Sequence, residues 1–328
     1  MRGTHRLKPG TFSRRQVLGL LAGSAACACC GSVHAQKLVY DLAATEIASG
    51  TWAVHGATEY FNLENGGNIV NVAFIEVPDG IVVIDTGPSK RYGEALLALI
   101  NRTVPDKEIL RIYNTHHHPD HFLGNQVFEN SVIAAPQQVI DNILEEGDAF
   151  ADNMYRLIGD WMRGTASITP GKALEDATEE IGGRSFSLFY LSGHTSSDLV
   201  IRDDETGVLF TGDLAFYDRA PTTPHADVEI WQESLKVIDG LDRELILPGH
   251  GLQDAGNESL IQTGDYLDWL QESLKRAASS GLTMNEAMTL PIPARFQKID
   301  VVQTEYERSV VHMYLALEES LMPLIEHK

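Results

Sequence analysis

Cysteine is nearly absent: the 328 residues contain three, Cys27, Cys29 and Cys30, all at the N-terminal end. Beyond them the chain has no thiolate ligand, no cysteine nucleophile and no disulfide. Basic residues are also scarce, 25 Lys and Arg against 46 Asp and Glu, for a formal net charge of −21. Such a field repels phosphate backbones, which argues against nucleic acid as a partner and favours neutral or cationic small substrates over polyanions. No internal repeat or low-complexity linker divides the chain, and 43% hydrophobic residues are enough for a sizeable core. The one long apolar stretch, residues 17–30, is too short to span a bilayer comfortably, so no stable membrane insertion is expected.

That stretch has another use. Ser13-Arg14-Arg15-Gln16-Val17-Leu18 precedes it and the small-residue pattern Val33-His34-Ala35 follows it. Residues 1–35 therefore read as a signal peptide of twin-arginine type, and the location as periplasmic. A signal in which the arginine pair is incidental is the alternative. Ser24-Ala25-Ala26-Cys27 lacks the large aliphatic residue of a lipoprotein box three places before the cysteine, which makes lipid anchoring the lesser option. Cleavage after Ala35 would remove all three cysteines, and five basic residues with no acidic one.

What the chain does have is a dense run of metal donors. Thr115-His116-His117-His118-Pro119-Asp120-His121 follows the strand-like segment Leu110-Arg111-Ile112-Tyr113-Asn114. Its donors thus sit on a turn at a strand end, where a loop can converge them; imidazole with carboxylate suits zinc or a similar first-row ion. The competing reading, a histidine-rich surface loop, weakens downstream. Gly193-His194, Gly212-Asp213 and Gly249-His250 each close a short apolar run, beside a glycine that permits a tight turn.

In this order, Asp85 in Val82-Val83-Ile84-Asp85-Thr86-Gly87, His116-x-His118-x-Asp120-His121, His194, Asp213 and His250 resemble the five-motif signature of the metallo-β-lactamase-fold hydrolase superfamily, over roughly residues 50–255. The resemblance implies an α/β (α+β) chain folded as a four-layer αβ/βα sandwich with its metals at one sheet edge. It also implies two Zn2+ ions, with Fe or Mn as alternatives. His116, His118 and His194 would hold one, Asp120, His121 and His250 the other, and Asp213 would bridge them. A hydroxide shared by the ions would be the nucleophile, since a zinc-bound water has a pKa of about 7. Asp120 and Asp85 are the implied catalytic carboxylates, Asp85 by fixing the tautomer of a ligand imidazole or else as a buried turn former. His117 is left outside the site, and His225 either lines the pocket or is solvated.

Periodicity predicts strands at 51–55, 69–77, 81–85, 110–115, 132–134, 186–191, 199–202, 208–211 and 245–247, and helices at 90–102, 136–162, 227–240 and 258–279. Pro78-Asp79-Gly80 marks a hairpin. The expected division is a signal at 1–35, the main domain at 36–255 and a C-terminal helical extension at 256–328. In the last helix, Val310, Tyr314, Leu317, Leu321 and Leu324 form an apolar stripe that packs on the domain or on the second subunit of a homodimer.

Asp213 stands where the best-known zinc β-lactamases carry cysteine or pair the run with serine. In this it is similar to glyoxalase-II-like thioester hydrolases and lactonases, although the C-terminal region shows no basic glutathione-binding pattern. The segment 212–221 with Trp231 resembles exported zinc hydrolases associated with quinoprotein and sulfur-oxidation systems. Arg219 is the expected clamp for a substrate carboxylate, with Tyr217 and Trp231 as apolar walls. The expected function is an exported dinuclear zinc hydrolase of a small ester, thioester or lactone-like substrate. Three rivals remain: β-lactamase activity, a mononuclear iron persulfide-dioxygenase-like enzyme, and a non-catalytic metal or cofactor chaperone.

Overall fold

Two sheets of mixed direction face one another in the computed structural model, which describes residues 38–321. The expected signal at 1–35 lies outside the described residues, as does Leu324. The first sheet has seven strands in chain order: β1 (Thr45–Ala48), β2 (Thr51–Val54), β3 (Val72–Val77), β4 (Gly80–Ile84), β5 (Ile109–Tyr113), β6 (Ile133–Pro136) and β7 (Lys172–Leu174). The second has five, β8 (Thr178–Ile181), β9 (Arg184–Leu191), β10 (Asp198–Asp203), β11 (Val208–Phe216) and β12 (Leu245–His250), in the order β12-β11-β10-β9-β8. Pairing is antiparallel from β1 to β4 and from β8 to β11, and parallel from β4 to β7 and between β11 and β12.

The hairpin signal falls where Val77 pairs with Gly80. β4 and β11 are buried at every position, because each is covered on both faces; β4 is accordingly a continuous apolar run, while β11 is apolar except at Thr211-Gly212-Asp213. In β9 only alternate residues, among them Phe186 and Leu188, point inward. These meet Ile75, Val82, Ile84 and Tyr113 of the first sheet and Ile201, Phe210 and Leu247 of the second in the inter-sheet core. Each such side chain stabilises the fold by about 1.5–3 kcal/mol on burial.

Helices complete the layers. α1 (Lys90–Thr103) is capped by Ser89, which accepts from the Tyr92 amide, and buries Tyr92, Leu96 and Ile100; α3 (Gln137–Ile158) touches β6 and β7. Between them lies the single turn α2 (Pro119–Phe122). On the other side, α4 (Val228–Asp239) and α5 (Glu258–Ser279) lay Trp231, Leu235, Ile238, Leu260 and Leu267 on Val200, Leu209, Phe216 and Ile246. α6 (Met284–Ala287) and α7 (Val302–Leu321) close over the outer face of α5, where Tyr266, Trp269 and Leu270 meet Tyr306, Val310 and Tyr314. The expected stripe on α7 stops short: Val310 and Tyr314 are buried, Leu317 is partly covered, and Leu321 is 49% exposed, so the packing contact ends before the helix does.

β4, β5, β9, β11 and β12 come together at one edge of this sandwich, and the donors found in the sequence sit there, Asp213 within β11, His250 at the end of β12 and the others on the segments that leave β5 and β9.

Candidate metal centre

Asp85 leaves β4 in the left-handed region, at φ 61, a conformation that aspartate tolerates better than most residues. Its Oδ1 accepts from the Thr115 amide at 2.9 Å, and its Oδ2 from the Thr115 hydroxyl at 2.8 Å. The end of β5 is thereby tied to the end of β4. His118 is extended, and Pro119 at the first position of α2 then turns the chain so that Asp120 and His121 follow within one helical turn. From the second sheet, Gly193, itself at φ 128, precedes His194, and Gly249 lets β12 pass Asp213, since a Cβ there would lie 2.0 Å from Asp213 Oδ1.

Seven side chains converge in two groups: His116, His118, His194 and Asp213, and Asp120, His121 and His250. The His118 Nδ1 and His194 Nε2 atoms are 2.8 Å apart, and Asp213 Oδ2 lies 3.4 Å from His194 Nε2 and 3.9 Å from His116 Nε2. The same carboxylate reaches the other group, with Oδ1 3.2 Å from His121 Nε2 and Oδ2 3.3 Å from His250 Nε2. Asp120 Oδ2 closes that group at 3.4 Å from His250 Nε2 and 3.9 Å from His121 Nε2.

The chemistry of this set fits divalent cations. All seven residues are buried, yet His116 Nε2, His121 Nε2 and Asp213 Oδ1 have no hydrogen-bond partner. Buried polar atoms without partners cost about 1–3 kcal/mol each, and coordination would satisfy them together. Burial drives the His116 and His118 pKa values well below the ordinary imidazole value and that of His194 to about 3, so all three present lone pairs. Burial also opposes charge on His121, but Asp213, Asp85 and Asp120 outweigh it and raise its pKa.

The atoms behind the ligands fix their tautomers. His121 Nδ1 donates to Asp85 Oδ2 at 2.7 Å and His250 Nδ1 to the Ile69 carbonyl at 2.7 Å, which leaves Nε2 of each facing the centre. His118 turns Nδ1 inward, and its Nε2 lies 2.8 Å from His225 Nδ1. His225 is therefore the partner behind His118, a role that the sequence left between pocket wall and solvated loop. His117 is buried outside the two groups, beside His225, with Nε2 3.7 Å from Glu146.

A cleft leads to the centre, with about 560 Å³ of empty space, partly open to solvent; His118, Asp120, Asp213 and His250 form its floor. Of the three expected substrate residues, Arg219 alone lines this cleft. It is 2% exposed, and its guanidinium is committed to Glu305 Oε1 at 3.4 Å, the Ala220 carbonyl, Thr222 and the Glu59 carbonyl. A clamp so occupied has no free fork for a substrate. Trp231 is fully buried away from the cleft, donating Nε1 to the Leu214 carbonyl at 2.9 Å and backing His194 with ring centroids 5.0 Å apart. Tyr217 is half-buried and does not line the cleft; its amide donates to the His250 carbonyl.

Comparison with known proteins gives the family and the fold. The chain is 24% identical over 283 residues to the linear primary-alkylsulfatase of Pseudomonas sp. (strain ATCC 19151), an alignment covering 73% of this chain and 53% of that enzyme. The chain thus spans about half the length of that relative. It is 24% identical over 210 residues to the acyl-coenzyme A thioesterase MBLAC2 of Bos taurus, covering 56% of this chain and 74% of that one. Among solved structures, the metallo-beta-lactamase from Pontibacter korlensis superposes with a TM-score of 0.57 at 22% identity, covering 69% of this chain and 99% of that one, which shows a common fold. A family model, described as the metallo-beta-lactamase superfamily, matches residues 65–250. Since that match takes in more than half of the sequence and every donor described above, the chain belongs to the metallo-beta-lactamase superfamily.

Proposed function

We propose that this chain is an exported, periplasmic, dinuclear zinc hydrolase acting on a small ester, thioester or lactone-like substrate. The observation that carries the reading is the sharing of Asp213 between two donor groups, since a carboxylate placed between two sets of ligands is suited to a pair of ions. His116, His118 and His194 would hold one ion and Asp120, His121 and His250 the other. Imidazole and carboxylate without thiolate favour zinc among the common ions. When bound, the pair supplies Lewis acidity, lowering the pKa of a coordinated water to about 7 and polarising the scissile oxygen.

The protein's own share is orientation and exclusion of water. Asp85, the Ile69 carbonyl and His225 hold three ligand rings in fixed tautomers, and the half-buried rings of Tyr60, Phe61 and Phe150 shelter the approach. The named hydrolases among the relatives support the class of reaction, and the twin-arginine pattern at residues 14–15 supports export. Among the described residues no helix is long and apolar enough to cross a membrane.

The test is elemental analysis of the purified chain, followed by an ester, thioester, lactone and β-lactam panel with and without chelator. Two equivalents of zinc and chelator-sensitive cleavage of an acyl substrate are expected. Iron with oxygen uptake on a thiol substrate, turnover of β-lactams alone, or metal binding with no turnover would each replace the proposal.

A further inference from the structure

The cleft has a rim built from the C-terminal helix, and that rim carries charge. Glu305 on α7 is wholly buried and shared by two guanidiniums: Oε1 lies 3.4 Å from Arg219 Nη2, and Oε2 lies 3.3 Å from Arg308 Nη1. One carboxylate between two arginines leaves one positive charge uncompensated within the trio. The donors of Arg219 are occupied by its own partners, as described above, so that it offers no free fork to a ligand. Arg308 differs: its side chain is 31% exposed, lines the cleft, and makes no other hydrogen bond among the described residues. Tyr60 holds it from below, with the guanidinium carbon 5.7 Å from the ring centre.

Of the five N–H donors of an arginine, only one is committed here, and the remainder form a fork suited to a planar or tetrahedral oxyanion. Much of the cleft wall is apolar, from Tyr60, Phe61, Phe150, Met154 and Leu157, with Asn153, Thr222 and His225 among its polar members, and the donor centre forms its floor. In a chain of net charge −21, a cationic rim beside an apolar wall is a local exception to the surrounding field.

We propose that this cleft selects amphiphilic anions, with Arg308 binding a carboxylate or sulfate on the substrate while the apolar wall receives its hydrocarbon part. The inference rests on the hydrolase reading for the word substrate, but the binding subsite stands without it. It moves the recognition role from Arg219, whose donors are spent, to a residue 89 positions further along the sequence and on a different element.

The experiment titrates hexanoate, hexyl sulfate and hexan-1-ol calorimetrically into the zinc-loaded full chain and into its Arg308→Gln and Arg308→Lys variants. The unaltered chain is expected to bind at least one of the anions about tenfold or more above the alcohol, Arg308→Gln to lose about tenfold of that, and Arg308→Lys to keep most of it. Whichever anion shows the larger loss identifies the oxyanion. Equal binding of hexanoate and hexyl sulfate by the unaltered chain and by a folded Arg308→Gln variant overturns the subsite. Should that variant not fold, ionic strength decides: anion binding that weakens with salt while alcohol binding does not supports the proposal, and salt-independent anion binding refutes it. A second arm compares the mono-p-nitrophenyl ester of adipate with p-nitrophenyl hexanoate. Failure to hydrolyse either ester, with Arg308-dependent anion binding intact, removes the hydrolase reading alone. Hydrolysis of both with no preference for the charged ester that Arg308→Gln reduces removes the subsite alone.

Discussion

Asp85→Asn isolates the control of one ligand from behind. Asparagine keeps the size of the side chain and tolerates the left-handed backbone at φ 61, so strain contributes little. What changes is the count of acceptors. Asp85 receives three hydrogen bonds, from the Thr115 amide at 2.9 Å, the Thr115 hydroxyl at 2.8 Å and His121 Nδ1 at 2.7 Å. If the asparagine oxygen keeps the Thr115 amide, its NH2 faces the hydroxyl, which rotates to accept, and His121 Nδ1, which must give up its proton to accept. The proton that His121 retains is then on Nε2, opposite Asp213 Oδ1 at 3.2 Å. That bond is favourable in the metal-free protein and removes the lone pair a cation needs. The metal-free chain should therefore lose only about 1–2 kcal/mol of stability. Zinc affinity at the Asp120, His121 and His250 group should fall about 10–100-fold, or roughly 1.4–2.8 kcal/mol. Competition with a chromophoric chelator measures both equivalents separately. Two zinc ions bound by Asp85→Asn at unaltered affinity would refute the tautomer argument.

Three other outcomes follow from the same geometry. His225→Ala should weaken zinc at the His116, His118 and His194 group about tenfold and leave the other group within threefold, read by the same competition; an equal loss at both groups contradicts the 2.8 Å pairing with His118. Gly193→Ala should destabilise by roughly 2–4 kcal/mol in thermal unfolding, because the position sits at φ 128 and a Cβ would lie 2.4 Å from the Trp231 amide nitrogen; a cost under about 1 kcal/mol would show that the loop can yield. The metal-free chain should lose stability as pH falls from about 6.5 toward 3. His194, depressed to about 3 when folded, stays neutral while the unfolded chain takes up its proton, so the slope is at most about 1.4 kcal/mol per pH unit from this residue. Chelated protein unfolded by urea at pH 7, 5 and 4 tests the sign.

The donor set was legible because each member stands in a short motif whose local sequence states its place, at the end of an apolar run beside glycine or proline. The strands β3, β4, β5, β9 and β11 were legible for the same reason: runs covered on one or both faces carry a clear apolar pattern. β1, β7 and β8 were not. Each has three or four residues, and they are largely exposed or half-buried, so packing leaves little periodic mark on them. The roles of Arg219 and Trp231 depend on partners distant in sequence, Glu305 for the first and the Leu214 carbonyl for the second, and no local pattern reports such pairings. The same holds for His225, 107 positions from His118, and for Arg308, whose place in the cleft depends on the distant Tyr60 ring.

The two donor groups also have a mechanical meaning. His116, His118, Asp120 and His121 hang from the first sheet, while His194, Asp213 and His250 hang from the second. Any cation held by both kinds of ligand rivets the halves of the sandwich across their shared edge. Ion supply then sets how often the halves part, by RT ln(1 + [L]/Kd), so a well-loaded chain resists proteases that a stripped one admits.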